Sequence, residues 1–334
     1  MHDLSVGILG TGMFLPPDLL TNHDLEKMVD TSDEWIVRRT GMKQRHILKE
    51  GIPSYTMGVE AAKLAIEDAG LTPMDIDLII VTTEAPDFLS PSMACLIQRD
   101  IGAKNAAAFD MNAACTGFVY AVVAAKQFIK TGYYRYVLIV SNEGLSRITD
   151  YKNRNTCILF GDAAGAVVLG EVPGEYGIKE SILYSYGDLG HNLTIPCCYI
   201  SEEDKERRPS GMYRSVWQDG SEVFTFAVRA MTDSTKKVLE MAGKTPQDID
   251  MIIPHQANIR IINGAAKRLK IDDDKVMAIL DKTGNISSAS IPVAVDIASR
   301  EGRLKNGDSL VMVAFGGGLT CGAIYFIWGK NQRH

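Results

Sequence analysis

Apolar and polar positions along this chain form blocks that predict strands and helices in alternation. Residues 106 to 132, AAAFDMNAACTGFVYAVVAAKQFIKTG, read as a strand, a tight turn and a long helix. In that helix Phe118, Val119, Tyr120, Val122, Val123, Phe128 and Ile129 are separated by alanines and the first charge comes only at Lys126. A helix apolar nearly all round belongs in the interior. Another helix is expected from about Tyr55 to Ala69, followed by a buried strand in DLIIVTT. The phrase that joins them, AGLTPMDIDLII at residues 69 to 80, returns as AGKTPQDIDMII at residues 242 to 253, with nine of twelve positions identical at an offset of 173. Each copy has helix before it and a buried strand after it. AILDKTGN is expected as a strand that echoes AAFDMNAAC, while ILFGDAAGAVVLG and LVMVAFGGGLTCGAIYFIW supply closing strands. The pattern is that of an internal duplication. It predicts an α/β protein of two halves, residues 1–174 and 175–334, with mostly parallel buried sheets packed in layers with helices. The seam is placed in EVPGEYGI, and residues 201 to 211, SEEDKERRPSG, are expected as an exposed loop.

Composition narrows the function. A chain of 334 residues with 46% hydrophobic content supports a large core. A net charge of -6, with no basic stripe interleaved with aromatics, argues against a nucleic-acid partner. The N-terminus has no basic leader before an apolar run, and no apolar stretch reaches membrane-spanning length, so a cytoplasmic protein with no membrane partner is expected. Six cysteines without C-x-x-C spacing read as reduced thiols, and no metal site is signalled. The opening VGILGTGMFLP invites a dinucleotide-binding reading. Leu15 stands where the third glycine of that fingerprint belongs, so the reading fails.

Chemistry collects at the expected strand ends. Cys115 lies at the joint between strand and helix, where the helix amino end lowers a thiol pKa and favours the thiolate; a packed core cysteine is the plain alternative. His255 follows the second repeated strand, and Asn285 follows the segment that matches the one before Cys115. Equivalent strand ends of two related halves can meet on one face, and ligands gather at the carboxyl ends of such strands. Upstream, TSDEWIVRRTGMKQRHI opens on a capping box of Thr31 with Glu34 and sets Arg38, Arg39, Lys43 and Arg45 around Trp35. This is either a solvated face or a seat for an adenine nucleotide with phosphates.

Six segments, TSDEWIVRRTG, DMNAACTGF, FGDAAGA, PHQANIRI, GNISSASIP and AFGGGLTCG, in this order and spacing, resemble the β-ketoacyl-acyl-carrier-protein synthase III enzymes of the thiolase-like fold. The resemblance covers nearly the whole chain. It implies a homodimer that condenses an acyl-CoA primer with malonyl-acyl-carrier protein at the start of fatty acid or related biosynthesis, with coenzyme A thioesters as substrates and no resident cofactor. Residue by residue, it implies Cys115 as nucleophile, His255 and Asn285 as donors to the enolate, and N–H groups of Cys115 and Gly317 as the oxyanion hole. Glycine at 316 to 318 would allow that close approach. Trp35, Arg39, Arg154, Gly220, Phe224 and Asn258 would bind coenzyme A; Ser90, Leu145, Phe160 and Val216 would shape the acyl pocket; Arg260, Lys267 and Arg268 would dock the acidic carrier protein. Departures from the family pattern bear on the substrate. Ser90 replaces a common phenylalanine that gates the partner's acyl pocket, which points to a larger pocket and a primer longer than acetyl. Glu84 stands where small or hydroxyl residues are usual, Ser221 replaces a common asparagine, and Trp217 sits beside Val216. Glu84 keeps a rival open: a non-decarboxylating condensing enzyme or acyltransferase resembling hydroxymethylglutaryl-CoA synthase, with Glu84 as base. A non-catalytic partner subunit is the other alternative, and the presence of Cys115 argues against it.

Overall fold

The computed structural model describes residues 4–330. Its centre is two mixed sheets. In the first, β1 (Ser5–Phe14), β2 (Leu78–Thr82), β3 (Ala107–Met111), β4 (Val137–Gly144) and β5 (Asp162–Val172) lie in the order β1-β5-β4-β2-β3. β2 runs parallel to β3 and β4, while β5 is antiparallel to both of its neighbours. In the second, β6 (Gly177–Ser185), β7 (Met251–Pro254), β8 (Ser309–Gly316) and β9 (Thr320–Ile327) lie in the order β7-β8-β9-β6, with β7 and β8 parallel and the other pairs antiparallel.

The strands read as unbroken apolar runs because both faces are covered. Leu78 and Ile80 point into a central core with Phe118, while Ile79 and Val81 point into an outer one with Met57 and Ile97. The principal helices among the described residues are α1 (Asp33–Thr40), whose Ile36 packs in a separate cluster with Leu145 and Phe160, and α2 (Tyr55–Asp68), α3 (Met93–Ile101), α4 (Gly117–Lys130), α5 (Gly220–Met241), α6 (Ile259–Leu269) and α7 (Ser290–Arg300), which cover the sheet faces. α4 and α7 supply Phe118, Val119, Ile291 and Val293 to the core shared by both sheets; α2 and α3 cover the first sheet, α5 and α6 the second. Complete burial of Phe118 alone is worth about 2 to 3 kcal/mol. No helix among the described residues is long and apolar enough to cross a membrane.

The duplication survives in detail. Leu78 pairs with Val137 and Met251 pairs with Leu310, the same register at the 173 offset. Each repeated phrase forms a short 3-10 turn, Pro73–Asp75 and Pro246–Asp248, closed by a reciprocal cap between Thr72 and Asp75 or Thr245 and Asp248.

Three local expectations are corrected. AILDKTGN is no strand: Leu280–Thr283 is helical and Asn285 makes a single bridge to Phe160, while Val276, just ahead of the segment, makes another to Ile252. The Gln256 side chain donates to Met277 O and accepts from Ile279 N–H, taking backbone groups that a strand partner would use. The segment 201 to 211 is more than a loop. Ser201 caps a helix, Glu202–Glu206, and Arg208 is buried, donating to the carbonyls of Ser215 and Thr194 and pairing with Asp204, so its charge is compensated. The cap of α1 is Ser32 rather than Thr31. Ser32 is extended, which lets its Oγ accept the Trp35 N–H at 3.2 Å, whereas the Thr31 hydroxyl is buried without a partner among the described residues.

Candidate active site

Two related turns meet between the sheets. Ala114–Thr116 leads into α4 and Ser287–Ala289 leads into α7; Ala114 (φ 50°) and Ser287 (φ 44°) hold equivalent left-handed positions. The end of β8 lies against the first turn. A Cβ on Gly316 would come within 2.7 Å of the Cys115 nitrogen, so a side chain there would displace the turn. Gly317 sits beside Ala114 and Leu193, and Gly318 has φ 137°. The steric need expected for the triplet therefore falls first on Gly316.

The three expected residues come together at one cavity of about 100 Å³, lined by Cys115, His255 and Asn285 along with Phe160, Val216, Gly220, Phe224 and Asn258. His255 follows β7, its N–H held by the carbonyl of Val313. Nδ1 lies 2.8 Å from the Ser290 hydroxyl, Phe315 packs edge-on at 5.3 Å, and the buried Nε2 has no partner among the described residues. Burial holds the imidazole pKa down at about 3, so the ring is neutral. Asn285 is fixed by backbone bonds to Leu159 and Gly161, and its Oδ1 accepts the Ser287 N–H at 2.9 Å. That leaves its amide NH2 as the group available to donate.

Glu84, at the end of β2, completes the cluster. The Cys115 thiol donates to Glu84 Oε1 at 3.4 Å; the Ser287 hydroxyl donates to the same oxygen at 2.5 Å and lies 3.3 Å from Sγ. Behind it Glu143, fully buried, accepts from Glu84 N–H at 3.0 Å and from the Ser288 hydroxyl at 2.5 Å. Burial raises the Glu84 pKa above the usual carboxylate range; burial and the charge of Glu84 push Glu143 up to about 8. Burial first, then the Glu84 carboxylate, push the Cys115 thiol well above its ordinary value. The expectation of a thiol lowered by its helix is corrected here. Desolvation in the turn and a carboxylate in contact outweigh the half-charge at the helix amino end.

Other expected residues fall into two groups. The guanidinium of Arg154 lies 4.6 Å from the Trp35 ring centre and that of Arg39 5.7 Å from it, so two cations attend one aromatic ring. Asn258 ties this edge to the cavity: its Nδ2 donates to Arg39 O at 3.1 Å and its Oδ1 caps α6 through Arg260 N–H at 2.9 Å. Arg260 sits 5.4 Å from the Phe224 ring centre, and Lys267 and Arg268 are exposed on the last turn of α6. Arg45 does not belong to this patch. It is fully buried, donates to Ile158 O and Asn22 Oδ1, and loses pKa to burial, down to about 10. Leu145 packs in the core beside Phe160, and Ser90 is exposed on the loop after Glu84; neither lines the cavity. Leu89, Glu84 and Gly317 line a second, open cleft of about 940 Å³ on the other side of Cys115.

Glu143, Ser287 and Ser290 also belong to the site, and no motif singles them out. The repeat itself held the signal: at the 173 offset Ser287 corresponds to Ala114, Ser288 to Cys115 and Glu143 to Gly316. Among the described residues no group of three or more His, Cys, Asp or Glu side chains could hold a metal ion.

Comparison with known proteins gives consistent matches. A family model described as 3-oxoacyl-[acyl-carrier-protein (ACP)] synthase III matches residues 109–187, and one described as its C-terminal part matches residues 239–328. A beta-ketoacyl-[acyl-carrier-protein] synthase III of Caldanaerobacter subterraneus subsp. tengcongensis is 50% identical over 327 residues, 98% of this chain and 99% of that protein. One from Desulfitobacterium hafniense is 50% identical over 328 residues, with the same shares. The crystal structure of 3-oxoacyl-[acyl-carrier-protein] synthase III from Aquifex aeolicus superposes with a TM-score of 0.90 at 44% identity, covering 97% of this chain and 100% of that one.

Proposed function

The chain belongs to the 3-oxoacyl-[acyl-carrier-protein] synthase III family, acyltransferases that start fatty acid biosynthesis by condensing an acyl primer with malonyl-acyl-carrier protein, and on that premise we propose how its residues divide the reaction. Cys115 takes the acyl group as a thioester. Malonyl-acyl-carrier protein then enters the cavity and loses carbon dioxide, and His255 Nε2–H and the Asn285 amide donate to the enolate oxygen. A Ser290 hydroxyl that donates to Nδ1 puts the ring proton on Nε2, where this role needs it. The carbanion attacks the acyl carbon on Cys115, whose oxygen the N–H groups of Cys115 and Gly317 receive. The observation that carries this reading is the buried, unpartnered Nε2 of a neutral histidine, facing the same cavity as the free amide of Asn285 and the sulfur of Cys115. Purified protein given acyl-CoA and malonyl-acyl-carrier protein is expected to release one carbon dioxide per β-ketoacyl product. Product without carbon dioxide would move the protein to the base-driven class.

Coenzyme A thioesters serve as substrates without a resident cofactor. Trp35 with Arg154 receives the adenine, Arg39 the phosphates, and Gly220, Phe224 and Asn258 line the pantetheine path. Phe160 and Val216 bound the acyl end, with Leu145 behind them. Residues 1–174 and 175–334 act as two halves of one catalytic unit. The exposed Phe88 and Leu89, on the loop that also bears Ser90, support a homodimer in which Ser90 enlarges the acyl pocket of a second copy. The working compartment is the cytoplasm.

Arg260, Lys267 and Arg268 form the docking face for the acidic carrier protein. Charge reversal at Arg260, or at Lys267 with Arg268, is expected to raise KM for malonyl-acyl-carrier protein about tenfold at low salt, and less at high salt, since rim charges act mainly on encounter. Loading from acyl-CoA should stay nearly unchanged. Steady-state kinetics with the carrier protein and with a small malonyl-pantetheine mimic provide the check, and equal losses toward both would place these residues in the channel instead.

A further inference from the structure

Glu84 touches the reacting sulfur, yet the condensation proposed above leaves it without a task. Decarboxylation generates the carbanion with no base, and His255 with Asn285 receives the enolate. Loading, by contrast, starts from a protonated sulfur, and only the thiolate is an effective nucleophile. We propose that Glu84 is the base that accepts the Cys115 proton while an acyl-CoA loads the enzyme, with Ser287 positioning the pair. The proposal rests on the condensing-enzyme reading and adds a catalytic residue to it.

The geometry sets this out. Glu84 Oε1 accepts from Cys115 Sγ at 3.4 Å, and Ser287, from the other half of the chain, bridges both atoms at 2.5 and 3.3 Å. Among the described residues Glu84 is the only ionisable side chain hydrogen-bonded to that sulfur. His255 shares the cavity, but its Nδ1 is engaged by Ser290 and its ring is directed to the enolate. Glu143, behind Glu84, bonds to the backbone N–H of Glu84 and to Ser288 and does not reach the sulfur. Glu84 also lines both the cavity and the cleft beyond Cys115, so it borders the space around the sulfur.

The step balances without a further reagent. The S–H bond of Cys115 breaks as its proton moves to a carboxylate oxygen of Glu84, and the sulfur electron pair forms the bond to the acyl carbon. The bond from that carbon to the coenzyme A sulfur then breaks, and the departing thiolate takes the proton from Glu84. Acyl-Cys115 and free coenzyme A result, and the carboxylate is restored. Burial raises both groups, the thiol well above its ordinary value, so the proton leaves the sulfur as the bond to the acyl carbon forms.

Rapid-quench intact-mass measurement of loading from an acyl-CoA between pH 5 and 9 tests this, alongside carbon dioxide release from malonyl-acyl-carrier protein by the same preparations. In the unmodified enzyme loading should rise with pH as Glu84 ionises, above the ordinary carboxylate range. Glu84→Gln should slow loading on the order of 100-fold and abolish that rise, with a much smaller effect on carbon dioxide release. Glu84→Asp should recover at least tenfold of the loss. Loading by Glu84→Gln within threefold of the unmodified enzyme would overturn the proposal. So would faster loading, which would make Glu84 a brake on the thiolate, and so would equal loss of both half-reactions. If Glu84→Gln fails to fold, a flat pH profile in the unmodified enzyme overturns it instead. Absence of acylation at Cys115 in the unmodified enzyme would count against the condensing reading, a separate result.

Discussion

Cys115→Ala is expected to abolish the mass gain that the protein should show on incubation with an acyl-CoA. The five other cysteines lack the setting that makes Cys115 reactive. Cys157 is buried, and that burial raises its pKa to about 11. Cys321 is buried and accepts from the Ser234 hydroxyl. Cys95 is exposed on α3, and Cys197 and Cys198 are exposed with sulfurs 3.8 Å apart on the rim of the open cleft. Only Cys115 combines a base in contact, backbone N–H groups in a tight turn and an opening to the cavity. Cys115→Ala removes one buried sulfur from the turn, so a stability loss of about 1 kcal/mol is expected, too little to unfold the chain. Intact mass with and without acyl-CoA, beside a thermal melt, reads both effects. Single replacements of Cys157, Cys197, Cys198 and Cys321 should leave the adduct in place, and an adduct that persists in Cys115→Ala would remove the assignment.

How much of this was legible in the sequence depends on whether a feature is local or made by the two halves together. The repeated T-P-x-D-I-D phrase encodes a cap and a strand within a few residues, so the duplication and both inner strands could be read directly. The nucleophile turn followed from an apolar helix placed after a strand. Failures began where a side chain substitutes for local structure: Gln256 replaces a strand partner, and Arg208 finds carbonyls that turn a charged stretch into a buried anchor. The state of Cys115 was misread for the same reason. Its helix is visible in sequence, but the carboxylate against its sulfur comes from 31 residues earlier and is held by a serine 172 residues later. Glu84 stood out as a departure from the family pattern, and only the folded arrangement shows what it touches.

Loss of His255 or of the Asn285 amide is expected to separate the two half-reactions. Each donor aimed at the developing enolate contributes about 3 kcal/mol in a dry site, so His255→Ala should lower malonyl decarboxylation on the order of 10²-fold. Acylation of Cys115 should remain within tenfold, because His255 makes no hydrogen bond to the sulfur and its loss leaves Glu84 in place. Asn285 requires more care. Its Oδ1 accepts the Ser287 N–H, and Ser287 in turn holds Glu84 against the thiol, so Asn285→Ala disturbs loading as well as the enolate. Asn285→Asp keeps the accepting oxygen and removes the donor. It should depress carbon dioxide release by at least 10²-fold, since a carboxylate would also repel the enolate, while loading falls far less. Intact-mass kinetics for the first half-reaction and carbon dioxide release for the second distinguish these outcomes. If His255→Ala and Asn285→Asp lost acylation as completely as Cys115→Ala while keeping their melting transitions, the division would fail. His255 would then belong to activation of sulfur rather than to the enolate.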